Sequence, residues 1–134
     1  METKIKCAAI LSRLSLHKRY YPEFTRDDVL RVLLDLAAVD HTLTQRRVVI
    51  AISNLTQSED IRKMLLHLDA TKVLKSLGSK PDEDIRLGSM AIVCNLAYET
   101  GTEEDMIKAK IVPTLLVTSL VTSGNFFLFY NWIL

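Results

Sequence analysis

The octapeptide IVCNLAYE (residues 92–99) has two weaker copies earlier in the chain, AISNLTQS at residues 51–58 and ILSRLSLH at residues 10–17. The copies are spaced by 41 residues, so that one leucine recurs as Leu14, Leu55 and Leu96. The same offset links a second leucine in another part of the unit, which recurs as Leu33, Leu74 and Leu115. Matched apolar positions in two separate segments, without a gap, indicate an internal repeat.

Each unit of the repeat is predicted to form three helices. A long helix is expected after the acidic residues 82–84, with Gly101 as its stop, because acidic residues suit the N-terminal end of the helix dipole and glycine suits a left-handed C-terminus. Its earlier copy covers residues 42–57, and two shorter helices lie between them, the first beginning with Ser58 as N-cap. One such unit cannot bury its apolar face, whereas stacked units can, so the sequence predicts an all-α stack.

Composition excludes several classes of protein. The chain has 134 residues and a net charge of +1, enough for one domain but without a global field that would attract nucleic acid or an anionic membrane. No segment before residue 125 has the length and apolarity of a membrane span. Cys7 and Cys94 have neither metal-ligand nor redox spacing, so we expect buried free thiols, no metal, no cofactor, and a cytoplasmic or nuclear protein.

The segment SEDIRKMLLHLDATKVLKSLGSKPDEDIRLGSMAIVCNLAYE (residues 58–99) resembles the armadillo repeat. It has a helix, an apolar helix with a leucine pair, an acidic break, and a long helix that ends in Asn-Leu-Ala. The resemblance implies a right-handed α-solenoid of three-helix repeats, for which HEAT repeats, with two helices per unit, are the nearest rival fold. It divides a domain of residues 1–124 into a partial repeat (3–16), two whole repeats (17–57 and 58–98) and a second partial repeat (99–124).

Two departures from the armadillo pattern bear on structure and function. The family usually has glycine where the first helix turns into the second, but Asp69 and Lys110 stand at or near that turn, and aspartate is one of the few residues that tolerates a left-handed backbone. The nuclear import adaptors of the family carry tryptophan one helical turn before the groove asparagine. Ile50 and Ala91 hold those positions here, which counts against binding of nuclear localisation signals.

The resemblance also implies a peptide groove lined by the long helices. In similar proteins an asparagine near the end of each long helix hydrogen-bonds the backbone of an extended peptide, and this chain has Asn54, Asn95 and, in the partial first repeat, Arg13 at that position. Arg47 lies two turns before Asn54 on the same face, and Gln57 and Tyr98 occupy the next turn. We therefore expect a non-enzymatic protein or peptide adaptor, in which the arginines favour an acidic partner. The predicted groove residues are Arg13, Arg47, Asn54, Gln57, Asn95 and Tyr98.

Each of these assignments has an alternative. The asparagines can simply tie the long helix to the next loop, Arg47 can be a solvated surface residue, and Tyr98 can be an edge of the core. A regulatory or assembly subunit that binds through its convex face or its ends is the alternative function. A helical enzyme subunit is a more distant one, since the chain has no phosphate loop, metal-binding histidine pair or nucleophile elbow.

Three further segments carry expectations of their own. RLSLHKRYYPEFTRDD (residues 13–28) is interpreted as a connection and first helix whose aromatic residues pack inward, in preference to a nucleic-acid stacking site. NFFLFYNWIL (residues 125–134) does not fit the repeat: it either caps the last helices or is a gene-model artefact, because Gly124-Asn125 can be encoded by GGTAAT, which contains the start of a typical intron donor. At the N-terminus we expect four apolar residues to need covering by a further repeat of a longer solenoid or by an obligate partner: Ile5, Ala8, Ala9 and Leu11.

Overall fold

The computed structural model of the protein describes residues 1–26, 28–99, 101, 103–108 and 111. These residues form α-helices and one 3-10 turn (Lys18–Tyr20), without a strand, which confirms the predicted all-α class. The predictions made for Lys110, Leu115 and residues 112–134 lie outside the described residues. The helices are α1 (Glu2–Leu14), α2 (Tyr21–Phe24), α3 (Val29–Ala37), α4 (Thr42–Leu55), α5 (Glu59–His67), α6 (Ala70–Leu77), α7 (Glu83–Leu96) and α8 (Glu103–Lys108).

The long helices α4 and α7 begin at equivalent residues of the repeat. His41 caps α4 by accepting from the backbone N–H of Thr44, and Asp82, 41 positions later, caps α7 by accepting from that of Ile85 at 3.1 Å. Ser58 caps α5 as predicted. These side chains satisfy N–H groups that have no partner within the helix, so polar residues fix where each helix starts.

The second helices, α3 and α6, also begin at equivalent residues. Asp28 and Asp69 precede them with φ of 56° each, so Asp69 adopts the predicted left-handed conformation and Asp28 shares it. Gly101 has φ of 86° but does not end α7 directly. That helix ends at Leu96, and Ala97, its C-cap, has a right-handed conformation.

The helices pack in the order that the repeat predicts. Helix α1 packs on α4 and α4 on α7, and we call these three helices the third-helix layer. Helices α3 and α6 pack on each other and on α4 and α7, respectively. Hydrogen bonds join α4 to α7 at both ends, Arg46 to Asp82 at the start and Asn95 to Thr56 at the finish, which shows that these two helices are parallel.

One apolar cluster runs through all of these elements. Leu33 and Leu74, the shared leucines of α3 and α6, are fully buried, as are Leu55 and Leu96 of the third-helix layer. The aromatic residues of the α1–α3 connection pack inward as predicted, with Phe24 only 2% exposed. Burial of apolar surface from successive units therefore holds the stack together.

The N-terminal helix differs in detail from the sequence prediction. Ala8 is fully buried and Ile5, Ala9 and Leu11 are half-buried, because α1 turns this side toward α4 and α3. Ile10 and Leu14 are the apolar residues that remain exposed, and they lie on another side of α1.

A glycine in the middle of α7 permits its close approach to α4. A Cβ added to Gly88 would lie 2.0 Å from Cγ1 of Val49, a buried and stiff β-branched side chain. We expect Gly88→Ala to destabilise the protein, since overpacking costs about 1–3 kcal/mol against a helix-propensity gain of up to about 1 kcal/mol. In a Val49→Ala background the same change should become stabilising. Urea unfolding of wild type, the two single variants and the double variant measures whether the effect of Gly88→Ala on the free energy of unfolding changes sign.

Asp82 links capping of α7 to an ion pair with α4. Nε of Arg46 donates to Oδ2 of Asp82 at 3.0 Å, and this hydrogen bond lowers the pKa of the Asp82 carboxyl. A lowered folded-state pKa stabilises the protein above the unfolded-state pKa, near 4, and this contribution is lost as the pH falls through the folded-state value. We expect Asp82→Asn, which keeps a capping oxygen, to be less stable than wild type at neutral pH, with a difference that narrows as the pH falls below about 4.

The matched control for this pH dependence is Asp84→Asn. Asp84 is 76% exposed and lies 3.9 Å from Arg46, so its removal should change the free energy of unfolding by less than about 0.5 kcal/mol. A stability gap for Asp82→Asn that stays constant between pH 7 and pH 3 would contradict the role of the ion pair.

Candidate functional site

The C-terminal ends of the third-helix layer are joined by two equivalent sets of hydrogen bonds, which we call the polar rungs. Nδ2 of Asn54 donates to Oγ of Ser15 at 3.1 Å, and Nδ2 of Asn95 donates to Oγ1 of Thr56 at 2.8 Å. Ser15 and Thr56 donate in turn to the backbone carbonyls of the residues three positions earlier, at 2.6 and 2.7 Å. Every member of one rung is 41 residues from its counterpart in the other.

The rungs give both asparagines a structural partner in the preceding repeat. Ser15 and Thr56 are buried, so each hydroxyl has its acceptor and its donor within the protein. Ala97 stands at the same position after α7, which means that this repeat supplies no hydroxyl for a further rung. Each asparagine is half-buried and retains one N–H and the carbonyl oxygen for a ligand.

The solvent-exposed side of α4 carries a stripe of exposed residues at helical spacing. Arg47 and Asn54 lie on it, and Gln57, which is also a predicted groove residue, is exposed in the turn just after the helix. Leu43 and Ile50 are each 44% exposed on the same stripe. The surface therefore combines a positive charge, an amide and two apolar side chains.

The remaining predicted residues flank α4 on the neighbouring helices. Arg13, at the asparagine position of α1, is exposed and free to bind an anion from solution, and Tyr98, beyond the end of α7, is 67% exposed. Because α1, α4 and α7 pack side by side, their C-terminal ends bring Arg13, Asn54 and Asn95 into one row. No hydrogen bond of the described residues joins Arg13 or Arg47 to another side chain.

Ile50 is a surface residue that sequence reasoning did not place in the groove. The signal was present, since Ile50 holds the position at which the import adaptors carry tryptophan. The equivalent residues on α7 are less prominent. Ala91, the counterpart of Ile50, is only 8% exposed, and Gly88 stands at the position equivalent to Arg47. The chemically distinctive part of the layer is consequently centred on α4.

The described residues contain no group of three or more histidine, cysteine, aspartate or glutamate side chains placed to hold a metal ion. Cys7 and Cys94 are free and half-buried, and burial raises the pKa of the Cys94 thiol, which disfavours the reactive thiolate. Within the part of the chain that the structure describes, no helix has the length and apolarity to cross a membrane.

A second surface lies on the other helices. A pocket of about 390 Å³ is formed by residues of α2, α3 and α5, with the buried Phe24 and Leu30 in its lining. Its lining also includes three exposed cations, Arg26, Arg31 and Lys63. This pocket lies outside the third-helix layer. It therefore suits the alternative function, a regulatory or assembly subunit that binds through the other helices.

Comparison of the chain with protein-family models, curated proteins and solved structures finds no match. The relationship to armadillo repeats therefore remains a proposal based on the repeat itself.

Proposed function

We propose that the protein is an armadillo-like right-handed α-solenoid that binds an extended, acidic peptide segment along its third-helix layer and acts as a non-enzymatic adaptor. The observation that carries this proposal is the recurrence of the polar rungs at a 41-residue spacing beside the exposed stripe of α4. Each rung presents one N–H and one carbonyl oxygen, the pair of groups that a peptide bond requires. Repetition of that pair along a layer suits an extended chain.

The charges and apolar residues of α4 determine which peptide fits best. Arg47 and Arg13 are exposed guanidinium groups, which bind carboxylates with two parallel hydrogen bonds. Arg46, by contrast, is already paired with Asp82 and Asp84. Ile50 provides apolar area beside Arg47, so an acidic residue next to a large apolar one is the expected recognition element.

The experiment is a selection from a displayed random-peptide library, followed by affinity measurement on variants. We expect acidic peptides, whose affinity falls by about tenfold or more in Arg47→Glu, since reversing a paired charge costs upward of about 1.4 kcal/mol. Lys72→Glu is the matched control, because Lys72 is an exposed cation on α6, outside the third-helix layer. Selected peptides that lack acidic residues, or that bind Arg47→Glu and wild type equally, would contradict the proposal.

The second candidate function is that of a regulatory or assembly subunit that binds through its outer helices, and the pocket between α2, α3 and α5 favours it. Peptides selected for this surface should depend on Lys63, which lines the pocket, and not on Arg47. Lys63→Glu therefore separates the two candidates in the same binding assay. For either function we propose a cytoplasmic or nuclear location, in line with two free thiols.

A further inference from the structure

One stripe of α1 is exposed although its equivalents are the most buried positions of the third-helix layer. On α4 the stripe consists of residues that are all 0% exposed: Thr44, Val48, Ala51 and Leu55. On α7 its members are at most 1% exposed: Ile85, Ser89, Ile92 and Leu96. On α1 we define the α1 stripe as the residues 41 positions before those of α4: Thr3, Cys7, Ile10 and Leu14. Ile10 is 58% and Leu14 36% exposed, and Thr3 is exposed as well, whereas Cys7 is half-buried and packs against the apolar core.

The packing of the later repeats explains this difference. Helix α3 packs on α4 and α6 packs on α7, each in the position of a second helix that covers its own third helix. Among the described residues, α1 has no helix in the corresponding position, and its neighbours α4 and α3 leave Ile10 and Leu14 exposed. The repeat thus shows what kind of element fits the stripe.

Both covering helices have the same leucine spacing. Leu33 and Leu36 of α3 are at most 6% exposed, and Leu74 and Leu77 of α6 are at most 1% exposed. Leucines at i and i+3 lie on one face of a helix, so they can pack together on a single apolar stripe.

A polar side chain of each third helix bonds to the end of its covering helix or to the connection that follows it. Nε2 of Gln45, on α4, donates to the carbonyl of Ala37 at the end of α3, at 3.1 Å. At the equivalent position of α7, Nη1 of Arg86 donates to the carbonyls of Lys80 and Pro81, in the connection that follows α6, at 3.0 and 2.6 Å. Lys4 holds this position on α1 and is exposed. A lysine there suits the carbonyl groups and the negative dipole end of a helix C-terminus.

We propose that the α1 stripe binds an amphipathic helix of a partner protein, with leucines at i and i+3 on the stripe and its C-terminus at Lys4. The interaction continues the packing of α3 on α4 and of α6 on α7 onto a third equivalent surface. It uses the side of α1 next to Arg13, since Ile10 and Arg13 are three residues apart, and its test does not depend on the peptide proposal. The driving force is burial of Ile10 and Leu14, which is the usual basis of helix-in-groove recognition.

The fit is tested first with a covalently supplied helix. Met1 is equivalent to Thr42, so a copy of residues 17–41 placed directly before Met1 puts a second α3 in register with the α1 stripe. In a Cys94→Ser background, Cys7 of the extended chain should be alkylated about tenfold or more slowly than Cys7 of the unextended chain. A thiol that the added helix covers for nine-tenths of the time reacts only while that helix is detached. The matched control carries Leu33→Asp and Leu36→Asp in the added copy alone, and its Cys7 should react at the rate of the unextended chain.

The partner is represented in trans by a stapled helical peptide with the sequence of residues 28–41. We expect saturable protection of Cys7 in the unextended Cys94→Ser chain, lost in Lys4→Glu and retained in Lys4→Gln, since glutamine makes this contact in α4. Protection in the extended chain but not by the peptide would overturn the proposal of a separate partner, and equal protection by the Leu→Asp control would overturn the leucine requirement. Protection that grows with the concentration of the protein alone would assign the stripe to a second copy and also overturn it.

Discussion

Replacing Leu55 by alanine is expected to reduce the free energy of unfolding by about 2–5 kcal/mol, the range for a large aliphatic side chain removed from a packed core. Leu55 is 0% exposed at the end of α4, the helix that packs on α1, α3 and α7. Leu96→Ala should have a similar effect, because Leu96 occupies the same position of the next repeat and is equally buried. Denaturant titration followed by circular dichroism measures both.

Leu14→Ala is the matched control for this experiment. Leu14 is the third member of the same repeat position but is 36% exposed, so its truncation removes less contact and should cost under about 1.5 kcal/mol. Equal reductions in the free energy of unfolding for Leu14→Ala and Leu55→Ala would show that Leu14 is as well buried on α1 as Leu55 is on α4. That result would contradict the exposed stripe described above.

Replacing Arg62 by alanine is expected to cost about 3 kcal/mol, the lower part of the range for breaking a buried ion pair. Nε of Arg62 donates to the Glu99 carboxylate at 2.6 Å and Nη1 donates to the carbonyl of Thr56 at 2.9 Å. The two charged side chains are only 19% and 11% exposed. Arg62 thereby ties α5 to segments that follow both α4 and α7, and its loss should loosen two repeats at once.

Lys63→Ala provides the comparison, since Lys63 is the next residue along α5. Its ion pair with Glu59 joins side chains that are 59% and 63% exposed, and such surface pairs contribute little to stability because water screens them. Thermal unfolding of the two variants should therefore differ clearly. Similar stabilities for Arg62→Ala and Lys63→Ala would mean that the Arg62–Glu99 pair has no more effect than a surface contact.

The elements of the fold could be predicted because the sequence repeats its start and stop signals. Ser58, Asp69 and Asp82 mark helix starts through local chemistry, which needs no knowledge of the tertiary structure. The side of α1 that faces α4 could not be predicted in the same way. Nearly all of its apolar positions resemble those of α4, and only the packing reveals that Ile10 and Leu14 stay exposed.

The exposure of two candidate site residues was predictable from the sequence, whereas the hydrogen bonds of the asparagines were not. Exposure of Arg47 and Gln57 agrees with a helical face read from their spacing. The bonds made by Asn54 and Asn95 were not visible, because their partners, Ser15 and Thr56, are 39 residues away and become neighbours only when the third helices pack side by side. A local reading of an asparagine at a helix end points to the next loop, whereas the structure shows a partner in the preceding repeat.

The most direct test of the repeat stack is a double-mutant cycle on the polar rungs. Asn95→Ala and Thr56→Val should each destabilise the protein, and the pair should show a coupling of about 1 kcal/mol, as should Asn54→Ala with Ser15→Ala. The crossed pair, Asn95→Ala with Ser15→Ala, should be additive, since these residues belong to different rungs. Coupling within both rungs and additivity between them is the predicted result; additivity within both rungs would contradict the stacked arrangement of α1, α4 and α7.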